Sequence, residues 1–220
     1  MARVLALAAA LAAALAAGAA DARVVASVES EGLAASPAVA RAEVAPGRRG
    51  RLVVVPGKTA RSGSGPLRRY AVEVEGGIRI DPRSFAARVH AILADRRGWG
   101  RGGRVSFKRV SAGGIDLRVT LARPGTTDRL CAPFVTRGVY SCANGGRAVL
   151  NLRRWRHGAR AYRGDLAGYR TYLVGHEVGH LLGQGHRACP RAGARAPVMM
   201  QQTKGVGACS ANPWPLRYER

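Results

Sequence analysis

The chain contains few of the residues that usually carry out chemistry. Its 220 residues include only five histidines and four cysteines, and 36 lysines and arginines outnumber 13 aspartates and glutamates. Aromatic residues make up 5% of the chain, which together with its length predicts one domain with a modest core. From Arg118 onward the acidic residues are Asp128, Asp165, Glu177 and Glu219. This scarcity argues against calcium, which requires clustered oxygen ligands.

Long apolar runs are absent beyond the start of the chain. Residues 4–17 form an unbroken apolar run behind Arg3, and Ala20-Asp21-Ala22 fits the pattern at which signal peptides are cleaved. We therefore predict a signal peptide at 1–22, a linker or short pro-segment at 23–50 and one domain at 51–220. An uncleaved membrane anchor is the alternative for the leader, although the run is short for a full span. No transmembrane segment is expected after cleavage.

No Cys-x-x-Cys spacing is present, which argues against a cysteine-rich metal site. Outside the cytoplasm an even number of cysteines usually forms disulfides. Of the three connectivities, the two local pairings are the simplest. They are Cys131–Cys142, around a predicted hairpin, and Cys189–Cys209, around a predicted loop. Together with the leader, they predict a secreted or extracytoplasmic protein.

Negative charge is too scarce to balance the basic residues, and the formal net charge is +23. Nearly all of this charge is arginine scattered singly along the chain, and no basic run is interleaved with aromatic residues. The pattern predicts no specific nucleic-acid binding, because charge alone gives only non-specific affinity. It is compatible with a non-specific attraction to an anionic cell envelope.

The predicted elements follow the order strand, helix, three or more strands, helix and irregular tail. Apolar alternation marks the strands, and an aspartate opens each helix. The segments are "RLVVVPG" (51–57), a half-buried strand "YAVEVE" (70–75), a helix from Asp81-Pro82, strands "RVSFKRV" and "IDLRVTLA", a turn at Asn144-Gly145-Gly146, a strand "RAVLNL" and a helix over Asp165–Leu182. We predict an α+β fold with a small mixed sheet and two main helices.

Three of the five histidines lie in one stretch of eleven residues, "HEVGHLLGQGH". His176 and His180 are four apart on a predicted helix, so both side chains reach one ion from the same face. Gly183 can end the helix in the left-handed conformation and let His186 turn back to the same ion. Three neutral nitrogen ligands with one open position are typical of catalytic zinc. Glu177 lies beside the expected metal without being a ligand.

A histidine pair alone would favour ordinary polar positions on a buried helix. Here a third histidine, a glutamate and a helix-ending glycine coincide, so we predict a Zn²⁺ site with His176, His180 and His186 as ligands and Glu177 as the catalytic residue. The other two histidines, His90 and His157, have no spacing to this site.

The stretch resembles the zinc proteases called metzincins, whose pattern HExxHxxGxxH it matches at every specified position. Metzincins also carry a methionine in a tight turn below the zinc, and "APVMMQQT" supplies Met199, with Met200 next to it. The resemblance implies a metzincin-like fold with an active-site helix followed by an irregular C-terminal subdomain. It also implies that the edge strand lining the substrate cleft is "RAVLNL".

The region from Leu67 to Pro215 also resembles an uncharacterised family of secreted actinobacterial proteins. The segments "GSGPLRRY", "HEVGH" with "GH", "PVMMQQT" and "NPWP" carry this likeness. The chain departs from well-studied metzincins in three ways. Arg187 follows the third histidine, no tyrosine stands two residues after either methionine, and residues 23–60 contain no cysteine that could cap the zinc.

These features predict a secreted zinc-dependent endopeptidase acting on a protein or peptide substrate. Glu177 would serve as general base toward a zinc-activated water. The alternative is a zinc-containing binding module of the cell envelope without turnover, for which the positive charge would suit an anionic wall polymer. A weaker third hypothesis is an amidase or peptidoglycan hydrolase that uses the same site.

Overall fold

A computed structural model of the protein describes residues 50–220. The predicted signal peptide (1–22) and the predicted linker, except for its last residue, lie outside the described residues. No helix in the described range has the length and apolar character needed to span a membrane. The elements are β1 (Leu52–Val54), β2 (Leu67–Glu75), α1 (Pro82–Ala94), β3 (Ser106–Arg109), β4 (Leu117–Ala122), α2 (Pro124–Cys131), β5 (Cys142–Asn144), β6 (Arg147–Asn151), α3 (Leu152–His157) and α4 (Leu166–Leu181).

The strands form one mixed sheet in the order β1-β2-β4-β6-β5, and β3 pairs with β2 outside this order. Strands β2, β4 and β6 run parallel, whereas β1 and β5 are antiparallel to their neighbours. Parallel neighbours need long crossover connections, which α1 and β3 supply between β2 and β4, and α2 and β5 supply between β4 and β6. The predicted α+β class is confirmed, and α1 and α4 are its two main helices.

The resemblance to metzincins implied that "RAVLNL" is the edge strand, but the structure differs. This segment forms β6, which lies inside the sheet between β4 and β5. The turn at Asn144-Gly145-Gly146 folds the chain into a hairpin, so Cys142 pairs with Val149 and β5 becomes the outer strand. A strand of three residues, "CAN", is too short to show an alternation in the sequence.

Residues 70–75 of strand β2 are buried on both faces, so the prediction of a half-buried strand was wrong. Its apolar side chains enter the main core, but the residues between them are covered as well. Glu73 pairs with Arg118 at 3.1 Å and with Arg147 at 3.0 Å, and accepts a hydrogen bond from Thr120 at 2.7 Å. Cross-strand cations therefore cover the face that the alternation assigned to solvent.

The main core lies between one face of the sheet and the two long helices. Asp81 caps α1 by accepting hydrogen bonds from the N–H groups of Arg83 and Ser84, both at 3.1 Å, as the Asp-Pro pair predicts. Alternate residues of β6 separate the two sides of the sheet. Ala148 and Leu150 lie in the main core, whereas Val149 joins a small cluster under α2.

Both predicted disulfides form. Cys131–Cys142 joins the last residue of α2 to the first residue of β5, and therefore encloses a loop (residues 132–141) rather than the expected hairpin. Cys189–Cys209 closes a loop in the region after α4. Disulfides are typical of proteins that fold in an oxidising, extracytoplasmic environment.

Irregular structure follows α4, as predicted, and side-chain amides hold it together. The Gln202 amide donates to Pro197 O at 2.9 Å and to Asn212 O at 2.8 Å, and the Asn212 amide donates to Ala196 O at 2.9 Å. Tyr162 donates to Gln202 Oε1 at 3.0 Å. These bonds satisfy buried carbonyls that a helix or strand would otherwise pair.

Candidate metal centre

Helix α4 carries the first two candidate ligands. Asp165 caps it by accepting from Gly168 N at 2.8 Å, and Tyr172 to Gly179 are all buried. His176 and His180 lie one turn apart, with 3.3 Å between their Nε2 atoms. The four-residue spacing thus places both imidazoles on one face of the helix.

The end of α4 brings in the third histidine. Gly183 adopts the left-handed conformation that its position predicts, with φ of +85°. The N–H of Gly183 bonds to His180 O and that of Gln184 to Gly179 O, both at 3.0 Å, which is the Schellman arrangement. The chain turns there, and His186 Nε2 lies 3.1 Å from His180 Nε2.

The three histidines form a cluster able to hold a metal ion, and their ligand atoms lie within 4.8 Å of one another. Tetrahedral zinc with bonds of about 2.0–2.1 Å places its nitrogen ligands about 3.3–3.4 Å apart. The two Nε2 separations at His180 are close to that spacing. Among residues 50–220, it is the one group of three or more histidines, cysteines or acidic residues whose ligand atoms are close enough to share an ion.

Hydrogen bonds at Nδ1, the ring nitrogen away from the shared metal position, orient two of the imidazoles. His176 Nδ1 lies 2.8 Å from Val198 O, and His180 Nδ1 lies 2.8 Å from Gln184 O. A carbonyl only accepts, so both Nδ1 atoms carry the proton and both Nε2 atoms present lone pairs to each other. Two facing lone pairs repel unless an electropositive atom lies between them, so the donor set fits a cation.

Protonation of the histidines is disfavoured as well. Burial lowers the pKa of His176 to about 3, and burial is also the main cause that lowers the pKa of His180 and of His186. Each imidazole is therefore neutral at ordinary pH, which is the form that binds a metal.

Glu177 lies beside the cluster but is not part of it. Its side chain is buried at 4% exposure, and burial raises its pKa to about 8. It lines the same cavity as the three histidines, which is where a reacting molecule would meet a bound metal.

A cavity of about 400 Å³ opens over the histidines, and we call it the cleft. Its walls come from the 132–141 loop, the edge strand β5, helix α4 and the segment 201–204. Phe134 and Val135 are 57% and 77% exposed and form an apolar part of the rim. The other lining residues away from the histidines are Thr136, Tyr140, Ser141, Cys142, Ala143, Tyr172, Gln201, Thr203 and Lys204.

Met199 lies in a turn next to the histidine helix, as the resemblance to metzincins implies. Met200 N bonds to Pro197 O at 3.0 Å and closes the turn, and Met199 is fully buried. A Cβ on Gly179 would lie 2.5 Å from Met199 Sδ and 2.7 Å from Trp99 Cζ2. Glycine at position 179 therefore lets the turn approach α4 between its two histidines.

The sequence did not identify the groups that hold the ligands in place. Val198 O and Gln184 O are backbone atoms, which no residue type marks. The loop residues Phe134 and Val135 gave no periodic signal, and Lys204 resembled any other scattered cation. A short exposed apolar pair between two cysteines was the one available indication of the cleft rim.

A profile of the family described as "Protein of unknown function (DUF3152)" matches residues 41–213, which is most of the chain. The chain belongs to this family. No curated protein and no solved structure matches it. The family match assigns no activity, so the function of the site has to be inferred from its geometry.

Proposed function

We propose that the protein is a secreted zinc-dependent endopeptidase that hydrolyses peptide bonds in a protein or peptide substrate. The convergence of three neutral imidazole nitrogens beside a buried glutamate, on the wall of an open cleft, carries the proposal. The metzincin-like pattern and the turn at Met199 support it. The two disulfides support secretion.

Zinc is the metal that we assign to the cluster. Three imidazoles favour zinc and its transition-metal neighbours over calcium and magnesium, which prefer oxygen ligands. A site with three histidines and an open fourth position is typical of catalytic zinc. When bound, zinc supplies a Lewis acid that acidifies a coordinated water and polarises a substrate carbonyl.

Glu177 performs the proton transfers in this proposal. Burial favours the neutral acid, but a metal cation held by the three histidines would favour the ionised form. The ionised carboxylate takes a proton from the water that attacks the peptide carbon, and a C–O bond forms. The proton then passes to the departing nitrogen as the C–N bond breaks, so the amine leaves neutral. Its neighbours on α4, His176 and His180, keep their imidazoles fixed through the bonds to Val198 O and Gln184 O.

Strand β5 provides a place for the substrate backbone. Within the described sheet it pairs only with β6, and Cys142 and Ala143 line the cleft. An extended peptide can add to the outer side of such a strand through backbone hydrogen bonds. Phe134 and Val135 would then contact an apolar side chain of the substrate.

The net charge of +23 favours one rival, a zinc-containing binding module of an anionic cell envelope. Such a module has no use for a buried carboxylate beside its metal. Incubation of the secreted protein with a diverse peptide library, with and without a chelator, separates the two. Chelator-sensitive cleavage supports the peptidase, and zinc binding without any cleavage supports the module.

Glu177→Gln provides the sharper test. The substitution keeps the size of the side chain and leaves the three histidines alone, so zinc should remain bound at about one equivalent. Peptide cleavage should fall by roughly 10²–10⁴-fold or more, because the glutamine amide cannot serve as the general base. Zinc is measured by elemental analysis and cleavage by mass spectrometry. Cleavage at the parental rate would rule out the peptidase mechanism.

A further inference from the structure

Glu219 is a buried carboxylate close to the metal centre without being part of it. It belongs to a 3₁₀ turn, Arg217–Glu219, and is 2% exposed. Its oxygens accept hydrogen bonds from the N–H groups of Val198 at 3.0 Å, Met199 at 2.9 Å and Leu216 at 2.7 Å. Three donors on two oxygens match the acceptor-only, ionised form of the side chain.

Two of these bonds involve the turn that holds His176. The N–H of Met199 and the C=O of Val198 belong to one peptide group. The N–H donates to Glu219 Oε1, and the C=O accepts from His176 Nδ1 at 2.8 Å. The order of contacts is therefore carboxylate, peptide group, imidazole and then the Nε2 that faces the metal position.

Hydrogen bonds in such a series strengthen one another. A carboxylate on the N–H side of a peptide group increases the negative charge on its carbonyl oxygen. That oxygen then accepts more strongly from His176 Nδ1, which fixes the ring and makes Nε2 a more basic ligand. Carboxylates that contact a metal-binding histidine directly have this effect in other proteins.

We propose that Glu219 is a positioning residue of the metal centre, which acts through the Val198–Met199 peptide group to orient His176 and strengthen it as a ligand. The inference rests on the metal-binding part of the proposed function and is independent of turnover. It concerns one ligand, because the acceptor of His180, Gln184 O, lies at the end of α4 and is not bonded to Glu219.

Zinc affinity of the purified protein, measured by competition with a chromogenic chelator, tests the proposal. Glu219→Gln keeps the shape, but it removes the charge and turns an amide NH₂ toward backbone N–H donors. We expect zinc affinity to fall about 10–100-fold. Glu219→Asp keeps the charge and should lose less. Arg217→Gln removes a charge from an exposed position of the same turn and should keep the parental affinity.

Two further measurements separate positioning from a structural role. Urea unfolding of the metal-free proteins reports what each substitution does to folding alone. The visible absorption of the Co²⁺-substituted proteins reports ligand geometry, and it should change in Glu219→Gln but not in Arg217→Gln. A Glu219→Gln protein that is less stable without metal, yet binds zinc within about twofold of the parent with an unchanged cobalt spectrum, would overturn the proposal.

The outcomes also distinguish this proposal from the peptidase. Zinc affinity is measured without substrate, so a parent that binds zinc and cleaves nothing contradicts the peptidase and leaves the role of Glu219 intact. A parent that binds no zinc overturns both. If Glu219→Gln does not fold, Glu219→Asp decides, because unchanged zinc affinity and an unchanged cobalt spectrum at its lengthened contacts would contradict the role of Glu219.

Discussion

At the residue scale, the three histidines differ in how firmly they are held. His176 is 5% exposed and bonded to the Met199 turn, His180 is half-buried and bonded to the end of its own helix, and His186 is exposed. A metal ion would bond all three, and His180 is the one whose Nε2 lies within 3.3 Å of both others. It is therefore the central ligand of the cluster.

His180→Ala should accordingly abolish tight zinc binding. The parent should be stabilised by added zinc, by about 2.7 kcal/mol at a free concentration one hundred times the dissociation constant, because the metal binds only the folded state. His180→Ala should lose this stabilisation. The matched control is His157→Ala, an exposed histidine outside the cluster, which should respond to zinc as the parent does. Thermal unfolding with and without zinc measures both, and an undiminished zinc response in His180→Ala would contradict the assigned ligand set.

Sequence spacing predicts this site well only where geometry is local. His176 and His180 share a helix face, and Gly183 marks the helix end, so three ligands within eleven residues can be placed from sequence. Their hydrogen-bond acceptors cannot, because Val198 O is a backbone atom more than twenty residues away. Glu219 shows the same limit: the sequence gives no sign of its role, because only folding brings its carboxylate to the N–H groups of Val198 and Met199.

At the scale of elements, the mid-helix glycine of α4 has a specific cause. Glycine inside a helix costs up to about 1 kcal/mol relative to alanine. At Gly179 this cost is offset by close packing, since Met199 Sδ and Trp99 occupy the space that a Cβ would need. Trp99 is fixed there by a hydrogen bond from its Nε1 to Gly175 O at 2.8 Å.

Gly179→Ala should therefore destabilise the protein despite the better helix propensity of alanine. The added methyl must displace Met199 or Trp99, and overpacking of this kind costs typically about 1–3 kcal/mol. Zinc affinity should fall too, because the displaced turn carries Val198 O. Gly185→Ala is the matched control, since its Cβ would meet no atom within 4 Å. Urea unfolding of the metal-free proteins compares them, and a Gly179→Ala protein as stable as the parent would contradict the packing argument.

Elements with a clear period were predicted, and those without one were missed. Strand β4 and helix α1 follow their apolar patterns, and Asp81 and Asp165 cap the predicted helices. Helix α2, "PGTTDRLC", begins with Pro-Gly, which indicates a turn, and it has no apolar stripe. Trp155 lies in α3, a helix of six residues that is too short to show a period. The pairing of Glu73 with two arginines from other strands is a long-range contact that alternation does not reveal.

At the scale of the whole molecule, the net charge is the dominant property. A groove of about 760 Å³ away from the histidines is lined by four arginines, Arg153, Arg154, Arg156 and Arg160, but arginines also lie over much of the remaining surface. We propose that the charge acts as a field that attracts anionic cell-envelope polymers without a specific site. Such attraction depends on counterions and weakens as salt increases.

The protein should therefore bind a soluble polyanion, such as polyglutamate, tightly at about 50 mM salt and weakly at about 500 mM. Two double substitutions test whether the binding is diffuse. Arg153→Glu with Arg160→Glu alters the groove, and Arg96→Glu with Arg217→Glu alters exposed positions outside it. Both pairs should lower the affinity by a similar factor, as measured by fluorescence titration. A loss confined to the groove pair would show a specific site instead.

The disulfide between α2 and β5 links the shape of the cleft to the oxidation of two thiols. Residues 132–141 contribute Phe134, Val135 and Tyr140 to its wall, and Cys131–Cys142 fixes both ends of this loop. In the chain-entropy model this cross-link stabilises the folded protein by roughly 3 kcal/mol, because it restricts the unfolded chain. It also anchors the wall to the edge strand. The shape of the cleft therefore depends on the redox state of two thiols, whereas the hydrogen bonds that orient His176 and His180 do not involve this disulfide.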